Sequence, residues 1–120
     1  MCAVGYKKLN VWRKADDLAF QTYIATRTFP REEAFGITAQ LRRSALSVPT
    51  NIAEGYGRQG KKELKHFVNI ALGSLAETKY LLDFCARLDY LKPDQHKKLQ
   101  NLGEEVGKLL WRFYQSILPA

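Results

Sequence analysis

The chain has little of what usually announces chemistry. Its 120 residues include two cysteines, two histidines and one methionine. Cys2 and Cys85 lie far apart and in different surroundings. No disulfide is expected, and Cys85, on an apolar helix face, reads as a small hydrophobe in a reducing compartment. No apolar run approaches the roughly 20 residues of a membrane span. The start, Met1-Cys2-Ala3-Val4-Gly5-Tyr6-Lys7-Lys8, lacks the basic-then-apolar order of a signal peptide. Low-complexity segments, repeats, strand signals and domain-dividing linkers are missing as well. What is left is a single domain spanning 1-120, expected in the cytoplasm, with a core of ordinary size.

The same scarcity argues against metals, cofactors and catalysis. Glu63-Leu64-Lys65-His66 matches the Glu-x-x-His element of di-iron bundles. That site needs two such elements and two further inward glutamates. Only one copy is present, and Glu63 and His66 fall off the face carrying Leu64, Val68, Ala71 and Leu75. His96, just after Asp94 at a helix start, reads as surface. Gly55-Tyr56-Gly57-Arg58-Gln59-Gly60 satisfies G-x-G-x-x-G, yet the dinucleotide fingerprint works only after a strand. Here the glycines follow a helix and read as a left-handed cap and tight turn. Ser44, Ser47 and Ser74 lack a histidine that bundle geometry would bring near, and no insertion builds a cleft around Glu54 or Glu77. We expect no enzyme, no cofactor and no metal.

What is present is helical periodicity. The first helix is predicted from about Leu9 to Thr28, with Val11, Trp12, Ala15, Leu18, Ala19, Thr22 and Tyr23 on one face. Phe29-Pro30 ends it, because a residue before proline avoids the helical region. The second starts near Glu32 to Phe35 and stops at Gly55-Tyr56-Gly57. The third spans about Lys61 to Asp89, and the fourth about Asp94 to Ile117, with Leu99, Leu102, Val106, Leu109, Leu110, Phe113 and Ile117 inward. Short connections between long helices predict an all-α, antiparallel up-down four-helix bundle. The third helix is broadly apolar between Tyr80 and Leu91, and the first places Phe20 and Ile24 on its charged side. Loops or a subunit interface would have to cover such surface.

The second helix holds an unusual stripe. Ile37, Leu41, Ala45, Val48 and Ile52 share its apolar face at about 100° per residue. Beside them run Gln40, Arg43, Ser44, Ser47, Asn51, Glu54 and Arg58. Pro49 sits inside the periodic run, removing one amide and freeing the Ala45 carbonyl, a defect of about 3 kcal/mol if uncompensated. Gln40, Ser47 and Asn51 are placed to re-satisfy backbone or neighbouring-helix groups around a kink, and Glu54 to pair with Arg43 or Arg58. The stripe of Gln40, Ser44, Ser47, Asn51 and Glu54 is therefore structural, a subunit contact, or a ligand surface.

Charge points to partners. Nineteen Lys and Arg against twelve Asp and Glu leave +7, which suits a polyanion without requiring one. Lys7-Lys8, Arg13-Lys14 and Lys97-Lys98 read as solvated faces. Arg42 and Arg43, with Arg58, Lys61, Lys62 and Lys65, are the candidates for phosphate contact. The latter group surrounds the start of the third helix, where cations oppose the dipole by about 0.3 to 1 kcal/mol each and free amides welcome an anion.

Gln40-Leu41-Arg42-Arg43-Ser44-Ala45, then Ser47-Val48-Pro49-Thr50-Asn51-Ile52-Ala53-Glu54-Gly55-Tyr56-Gly57-Arg58, resembles the signature of a bacterial family. Its members are four-helix-bundle proteins encoded in intervening sequences of large-subunit ribosomal RNA genes, sometimes labelled ribosomal protein S23. Leu9-Asn10-Val11-Trp12, Phe29-Pro30 with Glu33, and Ala71-Leu72-Gly73-Ser74-Leu75-Ala76-Glu77 add to the likeness. Thr50 and Ser44 depart from the alanines common there. The resemblance implies a bundle that assembles as a homopentameric ring. A more distant likeness, to basic pentameric accessory proteins of diversity-generating retroelements, implies nucleic-acid binding. The combined expectation is a non-enzymatic, oligomeric bundle binding RNA, or less readily DNA, through phosphates. A protein-binding scaffold or adapter is the alternative.

Overall fold

Leu18, Leu41, Ile52, Leu82 and Leu110 are wholly shielded from solvent, and together they draw on four different helices. The computed structural model describes residues 5–117; Cys2 lies outside them. The described chain forms α1 (Asn10–Ala25), α2 (Ile37–Gly57), α3 (Lys61–Arg87) and α4 (Pro93–Ser116), with short 3-10 turns at Gly5–Lys8, Thr26–Thr28 and Arg31–Glu33. Each long helix packs on two neighbours, in the cycle α1, α2, α3, α4 and back to α1. Pairings run antiparallel: Ser44 meets Thr78 and Ser47 meets Ser74, while His96 meets Asp83 and Gln100 the Lys79 carbonyl. This is the up-down bundle that the periodicity predicts, and each fully buried leucine contributes about 1.5 to 3 kcal/mol to it.

Boundaries differ from the sequence reading for local reasons. Helix α1 stops at Ala25, and the chain tightens into a 3-10 turn before extended Phe29 (ψ 153°) and Pro30. Helix α2 begins at Ile37 because Arg31–Glu33 form their own turn and Gly36 lies outside helical geometry. Helix α3 ends at Arg87. Asp89 takes a left-handed φ of 59°, so its N–H reaches the Ala86 carbonyl and the Tyr90 N–H reaches that of Cys85. Those two bonds make a Schellman closure with aspartate where glycine is usual. Pro93 opens α4, where the Gln95 side chain accepts a 3.0 Å bond from the Lys92 amide.

Several expected core positions move. Tyr23 is exposed, while Thr22 is inward as expected and donates to the Leu18 carbonyl at 2.7 Å. Between Tyr80 and Leu91 most of the apolar breadth is core: Leu81, Leu82, Cys85 and Leu91 are buried and Phe84 is half-buried. Tyr80 and Leu88 remain open. His96, read from sequence as plain surface, is half-buried with Nε2 2.8 Å from the Asp83 carboxylate. At the same end Tyr90 donates to Glu33 at 2.9 Å and its ring packs on Phe29. Burial and the nearby Glu33 push the Cys85 thiol up to about 11, and the Glu33 bond raises the Tyr90 phenol. No described helix is long and apolar enough to cross a membrane.

Candidate nucleic-acid interface

Antiparallel packing sends the end of α2, the start of α3 and the end of α4 to one end of the bundle. Gly60 makes the connection between the first two. Its φ of +90° is a backbone state open to glycine and strained for other residues. The left-handed geometry expected at Gly55 or Gly57 lies here instead, because α2 runs through both and leaves by an extended Arg58. Gly55 has a different task. A Cβ there would lie 2.8 Å from the Phe67 Cβ, so its missing side chain lets α2 and α3 close together.

That approach organises the cations. Arg58 binds Glu54 at 2.8 Å, and its guanidinium sits 5.1 Å from the Phe67 ring centre. Lys61 and Lys62 are exposed on the first turn of α3 and form no ion pair among the described residues. Lys65, one turn on, is half-buried with its ammonium 4.8 Å from the Tyr114 ring centre. Tyr114 in turn stacks on Trp111, with centroids 5.6 Å apart and planes 16° apart. Sequence reasoning missed this aromatic pair. The i, i+3 spacing in Trp111-Arg112-Phe113-Tyr114 could have signalled it, since such residues are neighbours on a helix surface.

Arg42 and Arg43 do not join this rim. They lie sixteen residues before Arg58 and fifteen before it on α2, respectively, which at the helical rise is about 24 Å away. Arg42 is committed to the chain itself. It donates to Thr26 Oγ1 at 2.7 Å and to the Tyr23 carbonyl at 3.4 Å, with its plane over the Tyr23 ring. Arg43 is exposed beside it. The six candidate cations thus form two groups, Arg42 and Arg43 toward the start of α2 and the other four at the α2–α3 end.

The polar stripe faces α3 within the same chain. Ser44 is buried and bonds Thr78 at 2.9 Å, Ser47 bonds Ser74 at 2.9 Å, and Gln40 reaches Glu77 at 3.4 Å. Asn51 donates to both the carbonyl and hydroxyl of Ser47 at 2.8 Å. Glu54 ends the series on Arg58 and not on Arg43. The ladder therefore joins two helices of one chain, and at Ser44 it is buried between them. It does not repair Pro49. No side-chain donor of the stripe bonds the Ala45 carbonyl; Pro49 is buried on the α1 side, where it lines an open groove of about 390 Å³ with Tyr6, Trp12 and Ala53. Ser47 and Pro49 point about 200° apart around the helix, so the one cannot serve the other.

Among the described residues no group of His, Cys, Asp and Glu is arranged to hold a metal ion. Glu63 and His66 are both exposed, with His66 edge-on to Phe67.

The model of the 23S rRNA-intervening sequence protein family matches residues 7–112. Among solved structures, a protein of unknown function from the S23 ribosomal protein family of Bacteroides thetaiotaomicron is similar to this chain. It shares 26% identity over 88% of this chain and 96% of that one, with a TM-score of 0.80. No curated protein matches. The family match takes in the Ser44–Asn51 ladder, the buried Pro49 and the basic turn from Arg58 to Lys65, and the chain belongs to the 23S rRNA-intervening sequence protein family.

Proposed function

We propose that this chain is a non-enzymatic, self-associating helical bundle that binds nucleic acid, RNA ahead of DNA, through backbone phosphates at the α2–α3 end. The observation that carries the reading is the pair Lys61 and Lys62, exposed and without an ion pair on the first turn of α3. Cations there oppose the helix dipole, and Glu63 is the one acidic residue of that turn. A phosphate across the lysines and the free amides would relieve the repulsion. The +7 charge supplies long-range attraction. The preference for RNA draws on the family name, which ties its members to 23S rRNA intervening sequences. No catalytic step and no cofactor belong to the proposal, and the cytoplasm is the expected location.

The test is binding of nuclease-treated full-length protein to structured RNA and to DNA of the same sequence across a salt series. Changing Lys61, Lys62 and Lys65 together to Gln should weaken binding whatever the sequence. It should reduce the log-affinity versus log-salt slope by about 0.7 to 0.9 per lost phosphate contact. We expect a loss nearer two contacts than three, because Lys65 is engaged with Tyr114. Unchanged affinity and slope in a folded variant would overturn the reading.

A second reading, a protein-binding scaffold or adapter, is favoured by apolar side chains left open on other faces, among them Phe35, which is fully exposed, Phe20 at 62% and Tyr80 at 60% exposure. Docking through them would be nearly insensitive to salt. We assign these faces first to further copies of the chain, with a closed homopentamer as the expected state.

A further inference from the structure

Trp111 is half exposed, at 51%, with one ring partner beside it. Its indole stacks on Tyr114, and the Lys65 ammonium lies against the Tyr114 ring. Cations border it. Lys61 precedes Lys65 by four residues and so shares its side of α3, which faces α4 at this end. On α4, Lys108 lies three residues before Trp111 and Arg112 immediately follows it; both are exposed. An open, stacked aromatic face with cations on the same helix and on the facing one is how proteins hold single-stranded nucleic acid. Bases stack on the ring while phosphates meet the cations. A duplex cannot use such a platform, because its bases are already stacked and paired. A subunit contact is the poorer fit, since lysines are depleted from the cores of protein interfaces.

We propose that the nucleic acid bound at this end is single-stranded, with an unpaired base stacked on Trp111 and neighbouring phosphates on Lys61, Lys108 and Arg112. The inference rests on the phosphate-binding reading above and adds the strandedness of the ligand and the residue that senses it.

The chain has two tryptophans, so full-length Trp12→Phe protein reports Trp111 fluorescence alone. Should Trp12→Phe fold poorly, the emission difference between wild type and Trp111→Ala gives the same readout. The probes are a short oligouridine and a blunt RNA duplex of equal length. Oligouridine should quench Trp111 and bind more tightly than the duplex. Trp111→Ala should weaken single-strand binding on the order of tenfold while leaving the salt slope unchanged, and Trp111→Phe should recover most of the loss. Equal binding of both probes with unquenched Trp111 would overturn the stacking inference and leave the phosphate reading standing. No binding of either probe would overturn both. Trp111→Ala protein that keeps its RNA affinity but loses self-association would make Trp111 a subunit contact and end the proposal.

Discussion

The Ser47 hydroxyl meets the Ser74 hydroxyl at 2.9 Å across the α2–α3 interface. With Ser44, Thr78 and Asn51 this contact forms a polar ladder inside a bundle that otherwise closes on aliphatic side chains. Slipping one helix against the other would strand buried hydroxyls without partners, at about 1 to 3 kcal/mol each. The ladder thus specifies register, the role often filled in helical bundles by a single polar core residue.

Removing a rung exposes that cost. Asn51→Ala deletes the donor to both Ser47 oxygens and should destabilise the fold by about 1 kcal/mol, with Ser44→Val, at the buried rung, costing at least as much. Pro49→Ala should cost less than either, because it restores an amide and breaks no bond of the ladder. Urea midpoints of the three variants check this. A neutral Asn51→Ala would show that the ladder carries no stability.

Two glycines should respond in opposite directions to alanine. At Gly55 the new Cβ would meet Phe67 at 2.8 Å and Leu64 at 3.3 Å, forcing α2 from α3 at a cost of about 1 to 3 kcal/mol. At Gly73, mid-helix and exposed, nothing lies within 4 Å, so alanine should stabilise by about 0.5 to 1 kcal/mol. Thermal melts of both variants would expose an error in the interface geometry if Gly55→Ala proved stabilising.

Alkaline pH should weaken the fold through Cys85. Its thiol ionises ordinarily near 9.0 and at about 11 in the folded chain, chiefly because it is buried, with Glu33 adding to the effect. The contribution is fully present below pH 9, where both states are protonated. Above it the unfolded state loses its proton first, so stability falls until the folded pKa is passed, by about 2 to 3 kcal/mol in all. Tyr90, raised first by its hydrogen bond to Glu33, acts in the same direction at higher pH. Denaturant titrations at about pH 8 and pH 10.5 should show a smaller alkaline loss for Cys85→Ala than for wild type. Equal losses would place the titration elsewhere.

Self-association is expected to use the open aromatic faces. Light scattering should give five copies of the 13.8 kDa chain. Phe20→Glu on α1 and Tyr80→Glu on α3 should each shift the protein toward monomer without loss of helix content, because both side chains are solvent-facing in the single chain. A wild-type monomer at micromolar concentration would remove the ring, and two normally assembling variants would move the interface off these faces.

Much of this architecture could be read before any coordinates. Helical stripes such as Leu41, Ala45, Val48 and Ile52 repeat at a period that strands cannot use, so the all-α class and four-helix count follow from spacing. Pro30 and Pro93 punctuate the chain through their own backbone limits. Helix ends were less legible, since Asp89 in a left-handed cap and the separate turn at Arg31–Glu33 depend on which groups the rest of the chain leaves unpaired. The six candidate cations were found in sequence as residue types but not as a patch. A rise of about 1.5 Å per residue along α2 carries Arg42 and Arg58 to different ends, and only packing shows which aromatic ring each cation meets.

The sequence by itself determined the bundle, the excess of positive charge and a polar stripe flanking an apolar one, because these depend on residue type and period alone. The tertiary structure decided what the stripe touches and which residues share an end of the molecule. It set Ser44 and Ser47 against Thr78 and Ser74 as a ladder, and brought Lys65 from α3 onto Tyr114 of α4 beside an open Trp111. Those partners lie 27 to 49 residues away along the chain. No local rule links positions so separated; antiparallel packing of buried faces does.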